Sequence, residues 1–266
     1  FIISTELIAP TYCNITIVNN HAVVQYHDHI IDDLAAIIPR IGASNSYSRA
    51  SIVRHFEAMG VFSIASSKGI VTSRDKWTCF QILAQKGIAM PKTTLGSSPY
   101  LDAFVKDFGD HPIIIKILEG THGQGVILCE NYKNALATAQ TLQSAKVKFV
   151  MQEFIAEAQG TDIRAFVIDR QVVAAIKRTS KDGDFRSNLH QGGSANSIQL
   201  SNTEKQLAVA AAKALDLSVC GVDMLASKRG PLVLEVNSTP GLEGIETATG
   251  LNISGKIITF IEQQKK

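Results

Sequence analysis

At 266 residues, with 45% hydrophobic and 19% charged side chains, the chain has the composition of a globular protein and the length for more than one lobe. Its 26 basic and 24 acidic residues leave a formal charge of +2, too weak a field to argue for direct nucleic-acid binding. No apolar run approaches the roughly 20 residues a membrane helix needs, so no membrane association is expected. Cys13, Cys79, Cys129 and Cys220 are scattered with no C-x-x-C pair, which argues against a disulfide framework or zinc knuckle and for a reducing cytoplasm. With Phe1 in place of Met and no signal-peptide pattern, an N-terminal piece is expected to be missing.

In chain order, "IIPRIGASNSYSRASIVRHFEAM" (37–59) reads as a short strand, a polar turn and a helix, with Ile52, Val53, Phe56 and Met59 near helical spacing. "VFSIAS" at 61–66 returns as a strand, making a small α/β layer that lacks its first unit. In "TSRDKWTCFQILAQKGIAMP", Ser73 is the expected helix cap, Trp77, Phe80 and Leu83 line one face, and Gly87 with Pro91 ends the helix. A boundary near 70–75 then divides an N-terminal lobe (1–72) from a central unit (73–155) and a C-terminal unit (156–266). The centre alternates strands with turns: "HPIIIKILEG", a glycine-rich turn, "GVILCE", a helix near 131–145, then "KFVMQEFI". "DR" within "FVIDRQVVAAI" breaks two β-branched runs as a hairpin would. Thr203 and Gln206 have capping-box spacing ahead of an Ala-rich helix, and a hairpin and a helix over roughly 252–264 close the chain.

The chemistry gathers at that last hairpin. In "GPLVLEVNSTPG", period-two alternation sends Glu235 and Asn237 to one face and Leu234 and Val236 to the other. If "SKRG" is the turn, Asp223 of "GVDML" pairs opposite Glu235, with Cβ atoms about 5 Å apart. Two carboxylates that close repel each other unless a cation lies between them. Asp223, Glu235 and Asn237 are hard oxygen ligands suited to Mg²⁺ or Mn²⁺, the plain alternative being a solvated sheet face. Lys116 interrupts an Ile-rich strand, and Gly120, Gly123 and Gly125 punctuate the turn after it. The set suggests a flap over a triphosphate, though the glycines alone mean a hairpin loop. Lys76 lies in the first turn of its helix, where the macrodipole disfavours a cation by a small amount; an anionic ligand would offset that, and an exposed surface lysine is the favoured plain reading. Glu153 and Phe154 end an apolar strand that could meet an adenine edge or simply close a core. Asp162 and Arg164 share one strand face. Arg178, Arg186 and Asn188 belong to a local cationic stretch, in which Lys181 reads as solvated surface. His122 and His190 have no orienting carboxylate and take no role.

"EAQGTDIRAFVI", "DGDFRSNLHQGG", "GVDML" and "LEVNSTPGLEGIE" together resemble the RimK-type α-L-glutamate ligases of the ATP-grasp superfamily. The resemblance runs from about Ala36 to Ile261, with the family's opening strand and helix expected to be absent. It implies an α+β and α/β ATP-grasp fold: a Rossmann-like pre-ATP-grasp lobe, then central and C-terminal subdomains holding ATP between two antiparallel sheets. Carried over residue by residue, it puts Lys76, Lys116, Gly123 and Gly125 at the phosphates and Glu153 with Phe154 at the adenine. Asp162 would face the sugar, and Arg186, Ser187 and Asn188 the phosphate side. Asp223, Glu235 and Asn237 would hold two Mg²⁺ or Mn²⁺ ions, while Arg164, Arg178 and Arg186 would serve the acyl phosphate and substrate carboxylates. The implied reaction joins L-glutamate, through an acyl phosphate, to the C-terminus of the sixth small-subunit ribosomal protein, or builds poly-α-glutamate. The alternatives are glutamylation of a cofactor or an amino-group carrier protein, and a non-catalytic ATP-binding module. A homotetramer is expected by the same resemblance.

Overall fold

A computed structural model describes residues 4–42, 46–118, 125–181 and 193–264. The stretch before Ala36 is an antiparallel meander of β1 (Cys13–Val18), β2 (His21–Tyr26) and β3 (His29–Ile31). Its first turn has Asn19 and Asn20 at φ 49° and 66°, the left-handed pair that a two-residue hairpin requires and that asparagine tolerates. β4 (Ala36–Ile37) and β5 (Phe62–Ser63) then pair in parallel across helix α1 (Ser46–Ala58), giving the strand–helix–strand unit expected there.

Helix α2 (Ser67–Arg74) intervenes before α3 (Lys76–Gln85). The cap of α3 is Asp75 and not Ser73: the chain turns extended at Asp75, whose Oδ1 accepts from Thr78 N at 3.0 Å. Ser73 sits buried inside α2, its hydroxyl on Ile70 O. A carboxylate at an extended residue satisfies the free first-turn N–H groups, which a hydroxyl already inside a helix does not reach. Gly87, at φ 68°, ends α3 as expected.

The next unit comprises β6 (Thr93–Leu95), α4 (Leu101–Lys106), β7 (Ile113–Ile117), β8 (Val126–Cys129), α5 (Tyr132–Ser144) and β9 (Phe149–Glu153). Its antiparallel sheet has the order β6-β9-β7-β8. Ile113, Ile115, Phe149 and Met151 pack with Leu101 and Val105 of α4 and Ala135 and Ala139 of α5.

The last unit comprises β10 (Thr161–Ile168), β11 (Gln171–Thr179), β12 (Ser194–Ser197), α6 (Asn202–Ala214), β13 (Val219–Leu225), β14 (Leu232–Asn237), α7 (Glu243–Thr249) and α8 (Ile253–Gln263). Its five strands run β12-β11-β10-β13-β14, all antiparallel. Asp169 and Arg170, both at positive φ, form the β10–β11 turn where "DR" breaks the pattern. Alternation sorts β10 between two cores: Ala165 and Val167 meet α6, and Phe166 and Ile168 meet α7 and α8. The capping box of α6 is Ser201 with Glu204, two residues before the expected pair. Glu204 Oε2 accepts from Ser201 N at 2.7 Å, and the helix already begins at Asn202.

The first unit is stitched onto the last. Val219 N donates to Ile64 O at 3.0 Å, and Ala65 bridges to Leu217. Gly69 of α2 lies so close to the 215–217 turn that a Cβ there would come 2.6 Å from Leu215 O.

Candidate active site

The β13–β14 pairing sets Asp223 directly opposite Glu235, as expected, but through a bulge just after Asp223: Met224 pairs with Val233, and unbroken counting would have brought Leu234 opposite Asp223. Register across the sheet puts Arg164 opposite Asp223 and Arg178 opposite Asp162, so one face carries a row of alternating charge. Arg164 Nε and Nη2 donate to the two oxygens of Asp223 at 2.7 Å each. Arg178 donates to both oxygens of Asp162 at 2.6 Å and to Asp223 Oδ2 at 2.8 Å. Burial by itself would raise the Asp223 carboxyl, but Arg164 and Arg178 overcome it and hold the group well below the usual carboxylate range. Burial likewise opposes charge on Arg178, which Asp223 and Asp162 more than restore. Arginine thus neutralises the Asp223 side of the Asp223–Glu235 pair. Glu235 remains exposed at the end of the row.

On the other side of Glu235 lies a shallow, solvent-open pocket lined by Ser73, Lys76, Cys79, Phe80, Lys116, Leu234, Glu235 and Val236. It sits where β7 of the four-stranded sheet meets β14 of the five-stranded one, with the first turn of α3 across it. Burial pushes the Lys116 ammonium down to about 8, partly opposed by Glu235 and aided by Lys76. Among the described residues that line it, two lysines share this space with one carboxylate, and burial keeps Cys79 inert with its thiol pushed up to about 12.

The remaining expected residues divide. Asn237 Oδ1 accepts from Thr239 N at 2.9 Å and shapes the loop in which Pro240 packs on Gly221. Glu153 is clamped by Arg229, which holds its carboxyl below the usual range, and it accepts from Lys92 N at 3.1 Å. The N–H groups of Glu153 and Phe154 donate to Lys92 O (2.9 Å) and Pro112 O (3.3 Å), so neither points to an open edge. Gly125 adopts φ 77°, and a Cβ there would lie 2.9 Å from Ile117 Cβ, a demand of the hairpin itself. Asp162 is 6% exposed with both oxygens on Arg178. Gly123, Arg186, Ser187 and Asn188, with Gly120, His122 and His190, lie outside the described residues. Arg229 was not singled out in the sequence, where it reads only as part of a turn; nothing local signals its reach to Glu153, 76 positions away.

Among the described residues no three His, Cys, Asp or Glu side chains form a metal cage. Both Asp223 oxygens accept from arginine and Asn237 Oδ1 accepts from Thr239 N, so a Mg²⁺ bound beside Glu235 would share those oxygens and keep several non-protein ligands.

Residues 73–261 match the model of the RimK-like ATP-grasp domain and residues 3–70 that of the RimK pre-ATP-grasp domain. The chain belongs to the RimK-like ATP-grasp family. The family likeness therefore begins well before Ala36, where the motifs placed its start, because the opening meander carries no motif to betray it. The chain is 46% identical over 263 residues to a "probable alpha-L-glutamate ligase" of Legionella pneumophila, covering 98% of this chain and 87% of that protein. It is 45% identical over 262 residues to one from Vibrio parahaemolyticus, with the same coverage. Among solved structures, the ATP-grasp ligase PsnB with its minimal precursor superposes with a TM-score of 0.76 at 21% identity, covering 97% of this chain and 87% of that one. D-alanine–D-alanine ligase from Bacillus anthracis superposes at 0.61, with 20% identity and 80% and 73% coverage. This RimK-like ATP-grasp protein is an enzyme of the amide-forming ligase class, and ATP-grasp ligases use ATP with Mg²⁺. Among its described residues no helix is long and apolar enough to cross a membrane.

Proposed function

We propose that the enzyme ligates L-glutamate to a carboxylate acceptor through an acyl phosphate. The observation that carries this reading is the pocket in which Lys76 and Lys116 face Glu235 beside the neutralised Asp162–Arg178–Asp223–Arg164 row. An acceptor carboxylate oxygen attacks the γ-phosphorus of ATP, the bond to the β-phosphate bridging oxygen breaks, and ADP leaves. The glutamate amine then attacks the acyl carbon, inorganic phosphate leaves, and the amine gives up its proton. Lys76 and Lys116 neutralise phosphate oxygens, and Arg164, the more exposed arginine of the row at 17%, faces the transferring phosphoryl group. Arg178, at 8%, positions Asp223. Asp223, Glu235 and Asn237 would hold Mg²⁺ or Mn²⁺, as two ions, and the metal when bound supplies further neutralisation of phosphate charge. Gly123, Arg186, Ser187 and Asn188 would complete the phosphate side.

The acceptor we assign is the C-terminus of the sixth small-subunit ribosomal protein, with poly-α-glutamate as the related product. The setting we assign is the cytoplasm, which suits four free cysteines, and a homotetramer is the assembly that the family resemblance suggests. Intact-mass spectrometry of that acceptor after incubation with enzyme, ATP, Mg²⁺ and L-glutamate tests the reading. A ladder of glutamyl additions is expected. ADP release that needs glutamate but leaves this acceptor unmodified redirects the acceptor to a carrier protein or cofactor; ATP binding without glutamate-dependent ADP release refutes ligation.

A further inference from the structure

The charge row on the five-stranded sheet is balanced internally; the flank of Glu235 toward the first unit is not. Three arginines of that unit gather there. Arg40 Nη1 donates to Pro240 O at 2.9 Å, in the loop that follows Asn237. Arg74, in the last turn of α2, donates through Nη2 to Ile41 O, the next residue along from Arg40. Arg49 of α1 brings its Nη1 to within 3.7 Å of where a Gly42 side chain would begin. Burial lowers the pKa of Arg74, Arg49 lowers it further as a like charge, and only Glu235 opposes them.

Among the described residues, none of the three has a carboxylate within ion-pair distance. Arg74 Nε is buried without a hydrogen-bond partner there, as are Ser238 Oγ and Thr239 Oγ1 in the loop that Arg40 holds. Ser238 is only 5% exposed. Arg74 and Arg49 are half-buried like charges, Arg74 has an orphaned donor, and the loop tied to the neighbouring Arg40 carries two orphaned hydroxyls; such groups are costly without a partner to receive them. Glu235 is committed to the metal and phosphate side in the ligase reading, on which this inference rests. A guanidinium fork with hydroxyls alongside suits the two coplanar oxygens of a carboxylate.

We propose that Arg74 and Arg49, with Ser238 and Thr239, form a subsite for a spectator carboxylate of the substrate, one that is held and not activated. L-Glutamate brings two such groups to the reaction, and a guanidinium pair apart from the lysines keeps them from competing with the triphosphate. Arg40 acts by pinning the 237–241 loop against this pair.

The test compares wild type with Arg74→Gln, Arg74→Lys and Arg49→Gln in glutamate-dependent ADP release, with melting temperature and ADP affinity by calorimetry alongside. A rise of at least tenfold in KM for L-glutamate is expected in both Gln variants, with kcat moved less than threefold, ADP affinity unchanged and partial recovery in Arg74→Lys. L-Glutamine and glutamate α-amide identify which carboxylate is bound, since the analogue lacking it loses the difference between wild type and variant. A rise confined to the acceptor KM keeps the subsite and assigns it to the acceptor. Unchanged KM values in normally folded variants, or a loss of ADP affinity in their place, overturn the proposal. Arg49→Gln keeps the question answerable if losing the Ile41 contact unfolds Arg74→Gln. Absence of glutamate-dependent ADP release in wild type overturns the ligase reading itself, and this subsite with it.

Discussion

Replacing Lys116 by Met separates the ligand-binding worth of this lysine from its cost to the empty fold. The unfolded chain presents an ordinary lysine near 10.5, and the folded site holds it at about 8. At about 1.4 kcal/mol per tenfold change, this gap corresponds to roughly 3 kcal/mol of instability when the ammonium is charged in both states. The sign follows from the folded value being the lower one. The penalty is complete below about 8, shrinks between about 8 and 10.5, and vanishes above the latter. Met fills much the same volume with no charge to desolvate. Urea denaturation of the nucleotide-free proteins at pH 7 therefore shows the variant more stable by up to about 3 kcal/mol, a difference that closes as pH rises toward 10.5. Ligation in the variant is lost. A variant less stable than wild type at pH 7, or a difference that does not change with pH, refutes the desolvation argument.

Glu235→Gln keeps the volume and hydrogen-bonding length of an exposed side chain, so circular dichroism and melting stay near wild type while ligation falls by at least a hundredfold. Near-normal turnover would remove Glu235 from the metal. Asp223→Asn leaves Arg164 and Arg178 facing a neutral amide in a buried row and costs about 3–5 kcal/mol in denaturant unfolding. Because the Asp223 carboxyl titrates below its ordinary value of 3.8, its contribution is present above that pH and is lost as pH falls through the depressed value, so wild type loses its advantage over the variant in acid. Gly69→Ala forces a methyl to 2.6 Å from Leu215 O and 2.8 Å from Leu217 Cδ2, and is expected to destabilise by about 1–3 kcal/mol, read as a lowered melting temperature.

Part of this site was legible because side chains alternate along a strand: period two puts Asp162 and Arg164 on a common face. The "SKRG" turn, counted outward without interruption, would pair Asp223 with Leu234, and the bulge after Asp223 shifts the register by one to bring Glu235 opposite. Lys116 stands out because a cation amid isoleucines is chemically anomalous, and Lys76 because it opens a helix. Helix starts were read less well. Ser73 and Thr203 have the composition of caps, but the caps are Asp75 and Ser201, since capping is decided by which residue turns extended at the junction. The meander before Ala36 was not anticipated, its exposed strands offering only a weak apolar rhythm.

Local order and which side chains share a strand face follow from sequence alone, because alternation and turn chemistry act over a few neighbouring residues. Which charges neutralise one another does not. Arg178 could reach a substrate by its position in the chain, yet pairs with Asp162 and Asp223 because three strands bring it there. Arg229 reaches Glu153 across 76 positions, and Arg40 reaches Pro240 across 200. Coulomb interactions and burial depend on distance through space, and that distance is set only when the sheets and helices pack.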